Sequence, residues 1–272
     1  MQKILRGKPV ADALREKIRQ GLDKKASNMT LAVVIAGNDP ASYYYKDHLF
    51  KLAESLGIKT KEIILPEDAE TEDVLKAIGK LNKEKAVQGI LPMMPMPKQI
   101  DAQAVSRAIT PLKDVDCLNP ENAGELYLGQ SFWAPCTARA VIALLKYYAV
   151  PLTGKRVVVI GRSNVVGKPL IPLLLAENAT VTVCHSKTQK LSQIASEADI
   201  LIAAVGVAGF VKADMVNDRC ILVDVGINET KKGIVGDISE EANEKALAYT
   251  PVPGGIGTIC SMMVMDTLIN KN

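Results

Sequence analysis

The stretch from Lys155 to Ala176, KRVVVIGRSNVVGKPLIPLLLA, constrains this chain more than any other. Val157 to Ile160 form a β-branched run with no polar alternation, the mark of a strand buried on both faces. The run stops at Gly161. A short polar turn follows, and Gly167 and Pro169 then open an apolar segment suited to a helix, whose first turn tolerates proline. Strand, glycine turn and helix start is the geometry that presents backbone N–H groups and a positive helix end to a phosphate. The usual dinucleotide fingerprint is G-x-G-x-x-G, whereas here Ser163 stands at the second glycine and Val166 at the third, with Gly167 one residue late. On pattern alone the stretch reads either as a dinucleotide turn or as a plain strand–turn–helix of an α/β protein.

The following strand, Thr180 to Cys184, ends at His185-Ser186-Lys187-Thr188. An NAD site usually places Asp or Glu there to hold the ribose 2′-hydroxyl, and this segment has neither. Ser186, Lys187 and, from the glycine turn, Arg162 suit a 2′-phosphate instead, so NADP is expected over NAD. A solvated loop with ordinary charges is the plain alternative.

A chain of 272 residues is long enough for two domains or one large one, and 48% hydrophobic with 23% charged residues is the composition of a soluble protein. A net charge of +3 without a basic run gives no sign of nucleic acid as a partner. The longest apolar run, Ile200 to Val211, is too short to span a membrane and holds two glycines, and the N-terminal residues lack a signal-peptide core. Five cysteines without a C-x-x-C pair suggest reduced thiols and a cytoplasmic protein. With His48 and His185 as the two histidines, no metal is expected.

Periodicity predicts helices at Pro9 to Lys25, Ser42 to Leu56, from a Thr71 cap to Asn82, Ala102 to Ile109, Thr137 to Tyr148, Ser192 to Glu197 and Thr258 to Ile269. Strands are predicted at Leu31 to Ala36, Ile58 to Leu65, Val87 to Leu91, Ile200 to Val205, Cys220 to Val225 and a short one ending at Thr250. Pro92-Met-Met-Pro-Met-Pro97 excludes helix or central strand. Alternating strands and helices in both halves imply an α/β fold of two parallel-sheet lobes around a cleft, the C-terminal lobe Rossmann-like, with joints near Pro111 to Asp116 and Ala149 to Gly154.

Four further segments can carry chemistry, each with a structural alternative. Asp39-Pro-Ala-Ser-Tyr-Tyr-Tyr45 opens a helix on which Tyr45 and Leu49 share a face, a cleft-lining or a packing arrangement. The methionines of Pro92 to Pro97 suit a flat ligand or a core. The carboxylates of Lys113-Asp114-Val115-Asp116 can receive two parallel N–H donors or sit in solvent. Pro251 to Thr258, with Pro253, Gly254 and Gly255, permits close backbone approach to a ligand or a tight domain-crossing turn.

Together these segments resemble the methylenetetrahydrofolate dehydrogenase/cyclohydrolase family nearly from end to end. The matching pieces are Gly37-Asn-Asp-Pro-Ala-Ser42 with Tyr45, Gly89-Ile-Leu91, Asp114-Val-Asp116, Pro135-Cys-Thr137, Gly161-x-Ser-x-x-Val-Gly-x-Pro169, His185-Ser186, Asp224-Val-Gly-Ile-Asn228 and Thr250-Pro-Val-Pro-Gly-Gly-x-Gly257. The resemblance implies a homodimer whose subunits have a discontinuous folate-binding lobe, residues 1–118 plus 256–272, and an NADP-binding lobe, residues 119–255. It implies oxidation of 5,10-methylenetetrahydrofolate, then hydrolysis of the methenyl cation to 10-formyltetrahydrofolate. Tyr45 and Asp116 take catalytic and substrate-binding positions, with Leu49, Met93, Pro253, Gly254 and Gly255 in the folate pocket. Gly161, Arg162, Ser163, Ser186 and Ile227 take the nucleotide positions.

Two departures bear on activity. The family's Tyr-x-x-x-Lys has Leu49 at the lysine, and its Gly-Ile-Leu-Val-Gln-Leu-Pro has Met93 at the glutamine. Smaller ones are Ala138 after Pro-Cys-Thr and Thr258-Ile-Cys260 after the glycines. Hydride transfer asks mainly for alignment, because the cation formed is delocalised over two nitrogens. Hydrolysis needs water activation and proton delivery, which leucine and methionine cannot supply. The expectation is therefore an NADP-dependent dehydrogenase with weak or absent cyclohydrolase. The alternatives are a bifunctional enzyme with a relocated base such as Lys46 or His48, a shikimate-type oxidoreductase, and a folate or nucleotide binder without turnover.

Overall fold

The computed structural model describes residues 3–22, 29–131, 133–231 and 233–271. From the N-terminus the elements are β1 (Lys3–Ile4), α1 (Gly7–Leu22), β2 (Thr30–Ala36), α2 (Pro40–Ser55), β3 (Lys59–Leu65), α3 (Thr71–Lys83), β4 (Gly89–Pro92), α4 (Ala102–Ala108) and α5 (Pro120–Tyr127). There follow α6 (Cys136–Tyr147), β5 (Arg156–Ile160), α7 (Gly167–Ala176), β6 (Thr180–Cys184), α8 (Leu191–Ser196), β7 (Ile200–Ala203) and β8 (Ile221–Asp224). The last are β9 (Asn228–Thr230), β10 (Gly233–Val235), α9 (Glu240–Lys245), β11 (Ala248–Tyr249) and α10 (Gly257–Asn270). Residues 23–25 of the first predicted helix lie outside the described residues.

Two compact units are present: Met1–Ala13 with Leu126–Cys260, and Leu14–Glu125 with Ser261–Asn272. These boundaries differ from the expected 1–118 plus 256–272 and 119–255, and they fall inside α1, α5 and α10. β1 pairs in parallel with β11, which ties the chain start to the larger sheet. The expected joints are internal turns, because Asp114 bridges to Ile90 of β4 and Gly154 donates to Asn178 O at 2.9 Å.

The larger unit holds a six-stranded sheet ordered β1-β11-β8-β7-β5-β6, parallel throughout. Strand order reverses beside β5, so the crevice between the carboxyl ends of β5 and β7 is the switch point of this doubly wound sheet. Val157 to Ile160 are buried, as a strand covered on both faces requires. The hairpin β9–β10 and helices α5 and α9 were not predicted. The strands are three residues each, too short for a periodic signal, and Pro120 opens α5 where proline reads equally as a turn.

The smaller unit holds a parallel sheet ordered β3-β2-β4. Its central strand β2, TLAVVIA, is buried at every position. Pro92 closes β4 on the sheet edge, where a missing N–H is tolerated. α2 starts two residues before the predicted Ser42. Pro40 occupies its first turn, and the Asp39 carboxylate accepts from Ser42 N at 2.9 Å and Ser42 Oγ at 2.7 Å. Thr71 is the first residue of α3, not its cap; its hydroxyl donates to Gln99 O and accepts from Asp101 N, while the Asp73 carboxylate takes the Glu70 N–H. Ser261 to Ile269 of α10 are buried without a break, so this helix is a core element on all sides. Its Leu268 sits so close to Gly89 of β4 that a Cβ there would be 2.5 Å from it.

Candidate active site

In the smaller unit the segment after β2 and the segment after β4 leave the same end of a parallel sheet. The first turns through Gly37, at φ +87°, into α2. One turn and a half along α2, Tyr45 is half-buried while Leu49 on the same face is fully buried. Met93 extends β4, donating its N–H to Val34 O at 2.8 Å, and is buried as well. Leu49 and Met93 are thus both buried apolar groups, and neither can donate or accept a proton.

Two titratable side chains close to Leu49 on α2 are those of Lys46 and His48. Lys46 points to β3, where its ammonium contacts Glu62 Oε2 and Asp47 Oδ1, each at 2.9 Å, beside the rings of Tyr43 and Phe50. The bonds to Glu62 and then Asp47 raise its pKa above the usual lysine value. His48 is exposed.

Asp116 is half-buried in the turn that follows Pro111–Lys113, and Asp114 is what shapes this turn. Asp114 bridges to Ile90, and its Oδ2 accepts from Asn119 N at 2.7 Å and Asn122 Nδ2 at 3.0 Å. Burial pushes its carboxyl above the usual carboxylate range, against those donors. From the C-terminal end, Lys271 Nζ donates to Pro111 O at 2.9 Å and Asp114 O at 3.3 Å. Sequence reading singled out the cluster 113–116 but not the division of labour within it, nor Asn119, Asn122 and Lys271. A buried carboxylate needs long-range donors that no local pattern announces.

In the larger unit Gly161 ends β5 at φ +130°, and a Cβ on it would run into Ala204 O at the end of β7. A Cβ on Gly167 would run into Gly161 O. Those two clashes explain why glycine stands one position late in the fingerprint. Ser163, in place of the second glycine, accepts the Val166 N–H on its hydroxyl at 3.1 Å and the Lys168 N–H on its carbonyl at 3.0 Å. The turn leaves Arg162 and Ser163 exposed at the start of α7. After β6, His185 N donates to Thr188 Oγ1 at 2.9 Å and Lys187 N to His185 Nδ1 at 3.2 Å, closing a loop with Ser186 and Lys187 outward. Ile227, after β8, is 65% exposed. Gly161, Arg162, Ser163, Ser186 and Ile227 therefore all follow carboxyl ends of strands in one parallel sheet. A tight glycine turn, exposed cations and hydroxyls, and no carboxylate at the end of β6 fit a phosphorylated dinucleotide.

The remaining predicted substrate positions, Pro253, Gly254 and Gly255, lie in this same larger unit, apart in sequence and unit from Tyr45, Leu49, Met93 and Asp116. Gly254, at φ +104°, accepts the Gly7 N–H on its carbonyl at 2.8 Å, and a Cβ on Gly255 would crowd Pro251 O. Among the described residues no cluster of three His, Cys, Asp or Glu side chains is placed to hold a metal ion. No described helix is long and apolar enough to cross a membrane.

Comparison with known proteins agrees with these features. The tetrahydrofolate dehydrogenase/cyclohydrolase catalytic domain matches residues 5–116, and the NAD(P)-binding domain of the same family matches residues 135–272. The bifunctional protein FolD of Acetivibrio thermocellus is 43% identical over 98% of this chain and 95% of its own length. The crystal structure of the bifunctional FolD methylenetetrahydrofolate dehydrogenase/cyclohydrolase from Campylobacter jejuni superposes with a TM-score of 0.95 at 38% identity, covering 100% of this chain and 98% of that one. The Trypanosoma brucei enzyme, solved with NADP and an inhibitor, gives 0.92 at 32% identity over 99% and 97%. With both domains matched in order and relatives similar over their full length, the chain belongs to the tetrahydrofolate dehydrogenase/cyclohydrolase family.

Proposed function

We propose that this protein oxidises 5,10-methylenetetrahydrofolate to 5,10-methenyltetrahydrofolate with NADP, and that it hydrolyses the methenyl product weakly or not at all. One observation carries the second half: the positions where the family pattern has lysine and glutamine are Leu49 and Met93, both buried and both without a titratable or hydrogen-bonding group. Two apolar groups also leave no stranded charge, so the fold of the smaller unit stands without them.

NADP bound to the larger unit supplies the hydride acceptor. Gly161 and Ser163 shape the turn that takes its phosphates, Arg162 and Ser186 face a 2′-phosphate, and Ile227 offers an apolar contact. In the smaller unit Asp116 accepts paired N–H donors from the pterin edge, and Tyr45 lies against the folate. Loss of hydride leaves a cation shared by two nitrogens, so these residues need only bind and orient. Ring opening by water needs a base and a proton donor, and the Lys46 ammonium, held protonated by Glu62 and Asp47, is no base at neutral pH. The protein works in the cytoplasm as a homodimer.

Purified protein given methylenetetrahydrofolate and NADP or NAD tests both halves at once. Reduced nucleotide and methenyltetrahydrofolate should accumulate in equal amounts, faster with NADP. Failure to reduce either nucleotide defeats the dehydrogenase reading. Enzyme-accelerated decay of added methenyltetrahydrofolate, well above the buffer rate, defeats the second half. That outcome would favour the full bifunctional activity, which the names of relatives such as the Acetivibrio thermocellus protein support.

A further inference from the structure

Two buried aspartates of the larger unit lie beside each other, Asp224 at the carboxyl end of β8 and Asp237 just after β10, and Asp224 accepts the Asp237 N–H. Asp224 Oδ1 accepts from Gly226 N at 3.0 Å and Asp237 N at 2.9 Å, and its Oδ2 accepts from Ile238 N at 2.9 Å. Asp237 Oδ2 accepts from Val205 N at 2.6 Å and Gly206 N at 2.9 Å; its Oδ1 accepts from Val207 N and Asn228 Nδ2, both at 2.9 Å. Two glycines make room for this: a Cβ on Gly226 would fall on the Asp237 carboxylate, and one on Gly236 would fall on that of Asp224. Exposure is 3% for Asp224 and 0% for Asp237.

The two carboxylates together accept seven hydrogen bonds, so the pair ties several loops to one another. What they hold is specific. Asp237 gathers three successive N–H groups of the loop after β7 and the side chain of Asn228 in the segment after β8. Asp224 takes the N–H of Gly226. Ile227 is thereby pinned between Gly226 and Asn228 with its side chain outward. Both segments leave the sheet on the β7 side of the switch point, opposite the β6 loop that carries Ser186. On a doubly wound sheet the two halves of a dinucleotide lie on opposite sides of that point.

We propose that Asp237, braced by Asp224, is a positioning residue for the nicotinamide half of the dinucleotide, acting through the Val205–Val207 backbone and Ile227. This rests on the reading above that the larger unit binds NADP. In Asp237→Asn an amide NH₂ replaces one acceptor oxygen, so at least one of the loop N–H groups loses its partner and the loop shifts.

The test compares two ligands on the full-length protein by calorimetry: NADP, and 2′,5′-ADP, which carries the adenosine half alone. Wild type should bind both. Asp237→Asn should weaken NADP about tenfold while 2′,5′-ADP stays within about twofold. A parallel loss for both ligands, as from general loosening, or no loss for either, overturns the proposal. Should Asp237→Asn fail to fold by circular dichroism, Asn228→Ala removes one donor to the same carboxylate, and the same split at about threefold is expected. Wild type that binds neither ligand defeats the nucleotide reading itself, a result distinct from a variant without a split.

Discussion

Lys46 Nζ lies 2.9 Å from Glu62 Oε2, so the lysine three residues before Leu49 is committed to the adjacent strand β3. Its side chain is only 12% exposed, and the rings of Tyr43 and Phe50 lie 5.8 and 5.6 Å from the ammonium. Lys46→Met should leave methenyltetrahydrofolate decay at the wild-type rate and lower stability by about 1 kcal/mol. A variant in which decay slows, measured in the near ultraviolet, would show Lys46 to be a relocated base.

Restoring the missing polar pair should have the opposite effect. Leu49→Lys alone buries an unpaired ammonium where leucine is fully enclosed, and should cost about 3 kcal/mol by urea unfolding. Adding Met93→Gln supplies a partner amide and should recover part of that loss. The double variant should consume methenyltetrahydrofolate faster than wild type while keeping NADP reduction. An unchanged hydrolysis rate in a folded double variant would count against the assignment of these two positions.

Gly167 has no room for a side chain, since a Cβ there would meet Gly161 O and Arg162 Cα, both backbone atoms that cannot swing aside. Gly167→Ala should therefore distort the turn and weaken NADP by at least about tenfold in a binding titration. Gly124 has nothing within 4 Å of its would-be Cβ, and Gly124→Ala should bind NADP as wild type does.

The Asp224 carboxyl carries a pH signature. Burial, and next the charge of Asp237, push it up from 3.8 to about 6, against the lowering effect of the N–H groups it accepts. A folded-state pKa above the unfolded one means that the folded form holds the proton more tightly. This contribution is fully present below the unfolded pKa near 3.8 and disappears as pH rises through about 6. Between pH 4.5 and 7 the stability of wild type relative to Asp224→Asn should fall by about 2 kcal/mol. Urea unfolding of both proteins at the two pH values measures it; a difference that is constant or grows with pH would contradict the direction.

Strands were the most legible elements, because Val157 to Ile160 and Leu31 to Ala36 carry their burial in an unbroken apolar run. The ends of helices were less so. Asp39 outbids Ser42 as the cap of α2 and Thr71 spends its hydroxyl on Gln99 and Asp101, choices that depend on residues about thirty positions away in the second case. Asp237 showed nothing locally beyond the glycine before it. Its importance comes from four donors, the nearest of them nine residues away and the others about thirty, that meet only when β7 and β8 lie side by side.

From the order of its residues alone, this chain was determined to be α/β, to carry a glycine turn before a helix, and to have apolar side chains at Leu49 and Met93. Each of those is a property of residue type, period or short spacing, and such properties survive in any chain conformation. Tertiary structure alone decided the strand order and its switch point, the commitment of Lys46 to Glu62, the support of the Asp116 turn by Asp114 and Lys271, and the interlock of Asp224 with Asp237. Those depend on which buried donor reaches which buried acceptor, and burial makes every unmatched polar group costly enough that only the closed chain can choose the partner.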